Sequence, residues 1–292
     1  MWRQYYQLTK PGIIRGNVIT AAAGYGLVVL GSEPARRELG WAVLAGGLSL
    51  LGLGLIVASA CVANNILDRR IDARMDRTKR RALVTGAISV QAAAIFSTVL
   101  GFAGTAALVS GGGWLAVALA LFGWLAYVVL YGAAKRRTAW GTLVGSISGA
   151  IPPVVGYTAA GAPLDAGAGM LFALMVCWQM PHFYAIALAR RSDYSAASLP
   201  VLPLVRGDVI TRRRMIGYVA AYLPVSVGLV ATGRTGLWYA LGTLVLGGWW
   251  LTLARRGWAQ AAPDGWASAM YRRSLMVIGI QSLLIALGGW LP

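Results

Sequence analysis

The 292-residue chain is 58% apolar, is charged at only 12% of its positions and carries a net charge of +17. A soluble globular domain has a charged fraction nearer about 25%, so this composition excludes a water-soluble globule and places the chain in a lipid bilayer. The basic excess would point to nucleic acid in a soluble protein, but here it is confined to segments flanking apolar runs, and no nucleic-acid partner is expected.

Nine apolar spans are expected, at about 12–30, 41–63, 88–109, 114–132, 139–160, 167–189, 215–231, 236–253 and 274–291. Each is long enough to cross a hydrocarbon core of about 30 Å. The expected fold is all-α: a single polytopic domain over residues 1–292, with nine transmembrane helices around a central cavity open to the cytoplasmic side. All lysines and arginines except Arg36, Arg37 and Arg234 lie in the amino-terminal segment or in the loops after spans two, four, six and eight. The positive-inside rule puts those segments in the cytoplasm and, with an odd number of spans, the carboxy terminus outside. No small-residue cleavage site follows the first apolar run, which reads as an uncleaved span. Cys61 and Cys177 lie within spans, lack metal-ligand spacing and read as small buried thiols.

In the first segment, Arg3, Lys10 and Arg15 with Pro11-Gly12 read as topogenic charge at the entry to span one. Asn17, inside that span, is expected to hydrogen-bond a neighbouring helix. Span two is rich in small residues and runs into the chain's densest block of charge, Asn64 to Arg81. Asp68, Asp72 and Asp76 are spaced four apart with Asn64 one step earlier, so on a helix they advance about 40° per step along one stripe. Like charges stacked in this way repel unless arginines neutralise them or a divalent cation sits among them. A cation held by few oxygens keeps positions free for a phosphate. The stripe is expected on a cytoplasmic extension of span two, facing a cavity.

After the external turn at Gly111-Gly112-Gly113, span four ends in Tyr131 and Lys135-Arg136-Arg137, with Tyr131 on the same helical face as Lys135. The cluster is either topogenic charge or, opposite the acidic stripe, a diphosphate clamp with Lys135 as a point charge and an arginine as a fork. Span five carries Gly141, Gly145 and Gly149 as a packing face, then Pro152-Pro153, which are expected to break or kink it. Span six places Gln179 and His182, the chain's one histidine, on a shared face. That imidazole is either a satisfied hydrogen-bonding residue or, as an ionisable group at depth, a ligand. The next loop sets Asp193 and Asp208 among Arg190, Arg191 and Arg206, so two acidic loops four spans apart are expected to face each other across one cavity. Trp258, Trp266 and Tyr271 in the last basic loop read as interface anchors, and spans seven to nine as scaffold.

These residues resemble the UbiA-type intramembrane prenyltransferase superfamily and, within it, the haem-directed branch, the protoheme IX farnesyltransferases. The resemblance covers nearly the whole chain. It rests on Cys61 to Arg81, on Tyr131 to Tyr157, and on Trp178-Gln179-Met180-Pro181-His182 through Pro200-Val201-Leu202-Pro203. The superfamily's first motif, Asn-Asp followed by aspartates three and seven places on, stands here as Asn64-Asn65 with Asp68 and Asp72. Its second motif usually offers two aspartates four apart; here Asp193 is preceded at that distance by Ala189.

The resemblance implies transfer of a farnesyl group from farnesyl diphosphate to the 2-vinyl group of haem B, with addition of water, giving haem O and diphosphate. It implies Mg2+ on Asn64, Asp68, Asp72 and Asp193, and catalytic roles for Asn64, Asp68, Asp72, Lys135, Arg136 and Arg137. Diphosphate or haem contacts are implied for Asn65, Arg77, Arg81, Tyr131, His182, Arg190, Asp193 and Tyr194, on cytoplasmic loops at about 64–87, 131–139 and 190–213. Haem B is then a substrate rather than a cofactor. The implied location is a bacterial inner membrane, with a haem A synthase or terminal-oxidase assembly protein as partner. Two alternatives stand: a prenyltransferase of a quinone-precursor ring, against which the Pro-His-Phe and Leu-Pro-Val-Leu-Pro segments speak, and a transporter or haem carrier whose basic loops are only topogenic.

Overall fold

Backbone polar groups facing hydrocarbon must be satisfied within their own segment, which favours helix over open sheet. The computed structural model describes residues 2–258 and 262–291, and these contain helices but no strand. In order they are α1 (Trp2–Leu8), α2 (Pro11–Gly31), α3 (Glu33–Arg37), α4 (Leu39–Asp72), α5 (Ala82–Thr85), α6 (Val90–Leu125), a π-helical stretch (Ala126–Tyr131), α7 (Gly132–Arg137), α8 (Gly141–Ala159), α9 (Ala166–Ala189), α10 (Arg191–Ala196), α11 (Leu202–Ala231), α12 (Leu237–Arg255) and α13 (Trp266–Gly288). Residues 259–261 of the last basic loop lie outside the described residues.

Seven stretches are long and apolar enough to cross a membrane: α2, α4, Val90–Arg137, α9, α11, α12 and α13. These seven stretches take in eight of the nine expected spans. Those at 88–109 and 114–132 fall within one 48-residue stretch. As a single rod it would extend about 72 Å, far beyond a bilayer core. Gly113, at φ 74° and ψ 177°, interrupts it. Ser97 Oγ donates to the Ser59 carbonyl and Trp124 Nε1 donates to Ser59 Oγ, so residues on both sides of Gly113 return to the same point of α4. The chain doubles back there, where the triple glycine was expected to turn. The expected span at 139–160 is α8, whose glycines, serines and paired prolines leave it outside the seven.

Two local expectations are corrected. Pro152 and Pro153 do not break α8, which continues through both to Ala159. Beside them α2 and α8 approach backbone to backbone. A Cβ on Gly24 would lie 2.0 Å from the Pro153 carbonyl oxygen, and one on Gly156 would lie 1.8 Å from that of Ala21. Asn17 donates to the Ile13 carbonyl of its own helix at 2.7 Å rather than to a neighbour.

The main core joins α8, α9, α11, α12 and α13 around Tyr157, Tyr184, Tyr222, Tyr239 and Trp250, and a second cluster joins α4, α6 and α8 around Leu53, Ile56, Leu108 and Val155. Large apolar side chains such as Trp41, Leu44, Phe102, Val245 and Leu283 point outward, as lipid contact requires. α4 outlasts its apolar run by about two turns, and those turns carry Asn64 to Asp72.

Candidate active site

The last turns of α4 bury four polar side chains: Asn64, Asn65, Asp68 and Asp72 are 2%, 2%, 8% and 3% exposed. The stripe stops at Asp72, where the helix ends and Thr78 Oγ1 donates to the Asp72 carbonyl at 2.8 Å. Asp76 is 87% exposed and pairs with Lys79, whose hydrogen bond holds its carboxyl below the usual range. The expectation that it extends the stripe is therefore corrected.

The opposing charge comes from three places. Lys135 on α7 forms an ion pair with Asp68 Oδ2, and Arg136 Nη2 donates to Asp68 Oδ1 at 3.1 Å and to the Leu67 carbonyl at 2.9 Å. Arg81 Nη1 donates to Asp72 Oδ2 at 2.6 Å and to Asn65 Oδ1 at 3.2 Å. Arg137 is exposed and joins none of these pairs. The π-helical stretch before α7 widens the helix locally. It stacks Tyr127 on Tyr131 at 5.6 Å, and the Lys135 ammonium sits 4.8 Å from the Tyr131 ring centre. α8 supplies the seat: Cβ atoms on Gly141 and Gly145 would lie 2.7 Å from Lys135 Cα and 2.8 Å from the Tyr131 ring.

Sequence reasoning missed Lys10. It stands immediately before α2 in a left-handed conformation, φ 53° and ψ 68°, next to a proline that disfavours the right-handed helical region for the residue before it. Its Nζ donates to Asn64 Oδ1 at 3.0 Å and to the Tyr127 hydroxyl at 3.4 Å, and burial pushes its ammonium down to about 8. A lysine only donates, so Asn64 must turn its carbonyl oxygen to it. The Asn64 amide Nδ2 is left buried without a partner. In this arrangement Asn64 offers a donor suited to an anion rather than an oxygen suited to a metal. The Lys-Pro pair at the membrane entry is the one sequence signal that could have marked Lys10.

Asn65 is occupied at both ends, donating to the Leu8 carbonyl at 2.9 Å and accepting from Arg81, so it ties the amino-terminal segment to α4. The two acidic loops do meet. Met75 and Ile71 pack against Tyr194, Ala197 and Leu199. Burial pushes the Tyr194 phenol up, opposed by the nearby Arg77 and Arg190 guanidinium groups. Asp193 lies 4.0 Å from Arg190, and Asp208 pairs with Arg191 at 2.9 Å. Among the described residues no three acidic, histidine or cysteine groups gather to hold a metal, so Asp193 is not brought to Asp68 and Asp72 as the four-residue metal set requires.

His182 lies elsewhere, between α9 and α13, stacked on Trp178 at 4.9 Å with Tyr271 at 5.0 Å. Its Nδ1 is 2.7 Å from Ser274 Oγ. Gln179 turns instead to α8, where its amide donates to the Ser146 carbonyl at 3.1 Å and its side chain fills the space left by Gly149.

The resulting cluster carries two buried carboxylates, one unpaired amide donor and four cations: Lys10, Arg81, Lys135 and Arg136. The cations exceed the acids, so the cluster suits a polyanion. Two carboxylates without a third protein ligand suit a cation that keeps waters and shares phosphate oxygens, which is the habit of Mg2+.

Residues 17–278 match the model of the UbiA prenyltransferase family. The chain is similar to the protoheme IX farnesyltransferase of Marinomonas sp., at 43% identity over 98% of this chain and 95% of the relative. It is also 43% identical to a protoheme IX farnesyltransferase 2 of Pseudomonas aeruginosa over 98% of this chain and 94% of that one. The Klebsiella pneumoniae protoheme IX farnesyltransferase is 40% identical, covering 100% and 97%. Among solved structures, a digeranylgeranylglyceryl phosphate synthase superposes with a TM-score of 0.77 at 18% identity, covering 99% and 98% of the two chains. A UbiA homologue from Archaeoglobus fulgidus bound to GPP and Mg2+ gives 0.68 at 16%, covering 97% and 99%. At those identities the two structures carry the fold alone.

Proposed function

The chain belongs to the UbiA prenyltransferase family, and from that premise we propose that it moves a farnesyl group from farnesyl diphosphate to the 2-vinyl group of haem B. Water is added, and haem O and diphosphate are the products. The reading is carried by one observation: Asn64, Asp68 and Asp72 are buried within a ring of Lys10, Arg81, Lys135 and Arg136. The similarity to three protoheme IX farnesyltransferases supports haem as the acceptor.

Charge builds on the diphosphate as its carbon–oxygen bond breaks, so groups that meet that charge lower the barrier rather than merely tighten binding. Lys135 and Arg136 exchange Asp68 for phosphate oxygens when the substrate enters, and the Asn64 amide gains the acceptor it lacks. A divalent ion, Mg2+ as in the Archaeoglobus relative, would be held by Asp68 and Asp72 and would supply further charge to the leaving diphosphate. Arg77, Arg190, Asp193 and Tyr194 form the facing wall and contact the diphosphate or the haem propionates. Tyr127 and Tyr131 shield the allylic cation from water until the vinyl group attacks. Arg137 stays at the rim as topogenic charge. The site opens to the cytoplasmic face of a bacterial inner membrane, with a haem A synthase or terminal-oxidase assembly protein as the recipient of product.

The acceptor is tested by giving the purified protein farnesyl diphosphate and Mg2+ with haem B and 4-hydroxybenzoate together, then analysing both by mass spectrometry. Haem gaining a farnesyl group plus water is the expected product. Prenylation of the aromatic acid alone overturns the choice of acceptor, and transport of haem without diphosphate release overturns the enzyme.

A further inference from the structure

The Ser274 hydroxyl carries one hydrogen, and its oxygen lies 2.6 Å from the Tyr271 carbonyl, a separation that requires that hydrogen between the two oxygens. Toward His182 the same oxygen can then only accept. The 2.7 Å contact therefore fixes the proton on His182 Nδ1. The other ring nitrogen, Nε2, is left with its lone pair. Among the described residues Nε2 has no hydrogen-bond partner, although His182 is only 8% exposed. The ring is also clamped in place. Trp178 stacks on it at 22° between planes while its own indole donates to the Ser274 carbonyl at 2.7 Å, and Tyr271 lies tilted at 5.0 Å.

A neutral imidazole with Nδ1–H held by an acceptor and Nε2 bare is the form that binds a metal, and such a second partner fixes ring and tautomer. We infer that His182 Nε2 is the axial ligand of the haem iron, positioned by Ser274; this rests on the haem reading above and assigns the iron a place within it. The position relative to the diphosphate wall is consistent. Gln179, one turn before His182, meets α8 at Ser146 and Gly149, one turn from Gly145, where Tyr131 packs. Haem ligated at His182 would lie beside the glycine face of α8 whose other neighbour is the Tyr131 and Lys135 arm.

The test uses untagged, full-length protein in detergent and hemin as the probe, without farnesyl diphosphate. His182 is the only histidine of the chain, so any imidazole signature belongs to it. Wild type is expected to bind hemin with the Soret and electron paramagnetic resonance spectra of imidazole-ligated iron. His182→Gly should lose that signature and regain it on addition of free imidazole, which a misfolded protein would not do. Ser274→Ala should keep the signature but weaken hemin binding about 10–100-fold, as loss of an outer-shell partner does. A wild type that binds hemin and forms haem O, with a His182→Gly spectrum and affinity unchanged, overturns the ligand while leaving the function standing. A wild type that neither binds hemin nor forms haem O, while still releasing diphosphate, overturns the function instead.

Discussion

Lys10 holds a left-handed backbone conformation that costs about 1–3 kcal/mol for such a residue, and the surrounding contacts must offset it. Asn64 and Tyr127 are those contacts, and the orphaned Asn64 amide beside them awaits an anion. Lys10→Met is therefore expected to raise the KM for farnesyl diphosphate about tenfold or more, the scale of one charged hydrogen bond, with little change in the affinity for hemin. Steady-state kinetics with each substrate varied checks this, and an unchanged KM would contradict the role. Asn65→Ala should behave differently, costing about 1–3 kcal/mol of stability by stranding the Leu8 carbonyl and the Arg81 donor; thermal unfolding measures it. Asp68 and Asp72 were legible in the sequence because helical periodicity alone puts them on one face. Asp76 was misread because nothing in Asp72-Ala73-Arg74 announces the helix end, which Thr78 closes from six residues away. Lys10 was passed over because its role arises only when the corner before α2 meets α4.

At the scale of elements, glycines decide where helices can touch. A Cβ on Gly145 would lie 2.8 Å from the Tyr131 ring, so Gly145→Val is expected to push Tyr131 and Lys135 away from Asp68 and to cut diphosphate release at least tenfold with folding retained. Circular dichroism beside the release assay separates the two effects. The opposite end of the bundle is held by Asp165, which caps α9 through the Ala168 N–H and accepts from Tyr157 and Arg234. Burial pushes the Asp165 carboxyl up, but Arg234, the Ala168 N–H and Tyr157 outweigh it and hold it below its usual value. A depressed carboxylate stabilises the fold above its unfolded value of about 4 and loses that contribution as pH falls below it. Asp165→Asn should lower thermal stability at neutral pH and remove this step from the acid unfolding curve. The doubling back at Gly113 and the turn after α7 follow from glycine and charge in the sequence. The passage of α8 through two prolines does not, because it depends on how closely α2 lies alongside.

Over the whole molecule, cations gather at one end and lipid-facing apolar side chains cover the flanks, so a polyanionic headgroup and a long apolar tail have complementary places to lie. That division was readable from composition and charge placement. Length and hydropathy of whole helices give seven stretches, because they run the two arms on either side of Gly113 together and pass over α8. The central claim is that buried carboxylates and their ring of cations draw diphosphate off a farnesyl tail so that haem can capture it. Its most direct measurement is the release of diphosphate and the mass of recovered haem, followed in parallel with Mg2+ for the wild type and for Asp68→Asn/Asp72→Asn. The account predicts equal amounts of diphosphate and of haem bearing farnesyl plus water from the wild type, and neither from the folded double variant. Haem O formed by that variant at the wild-type rate would contradict it.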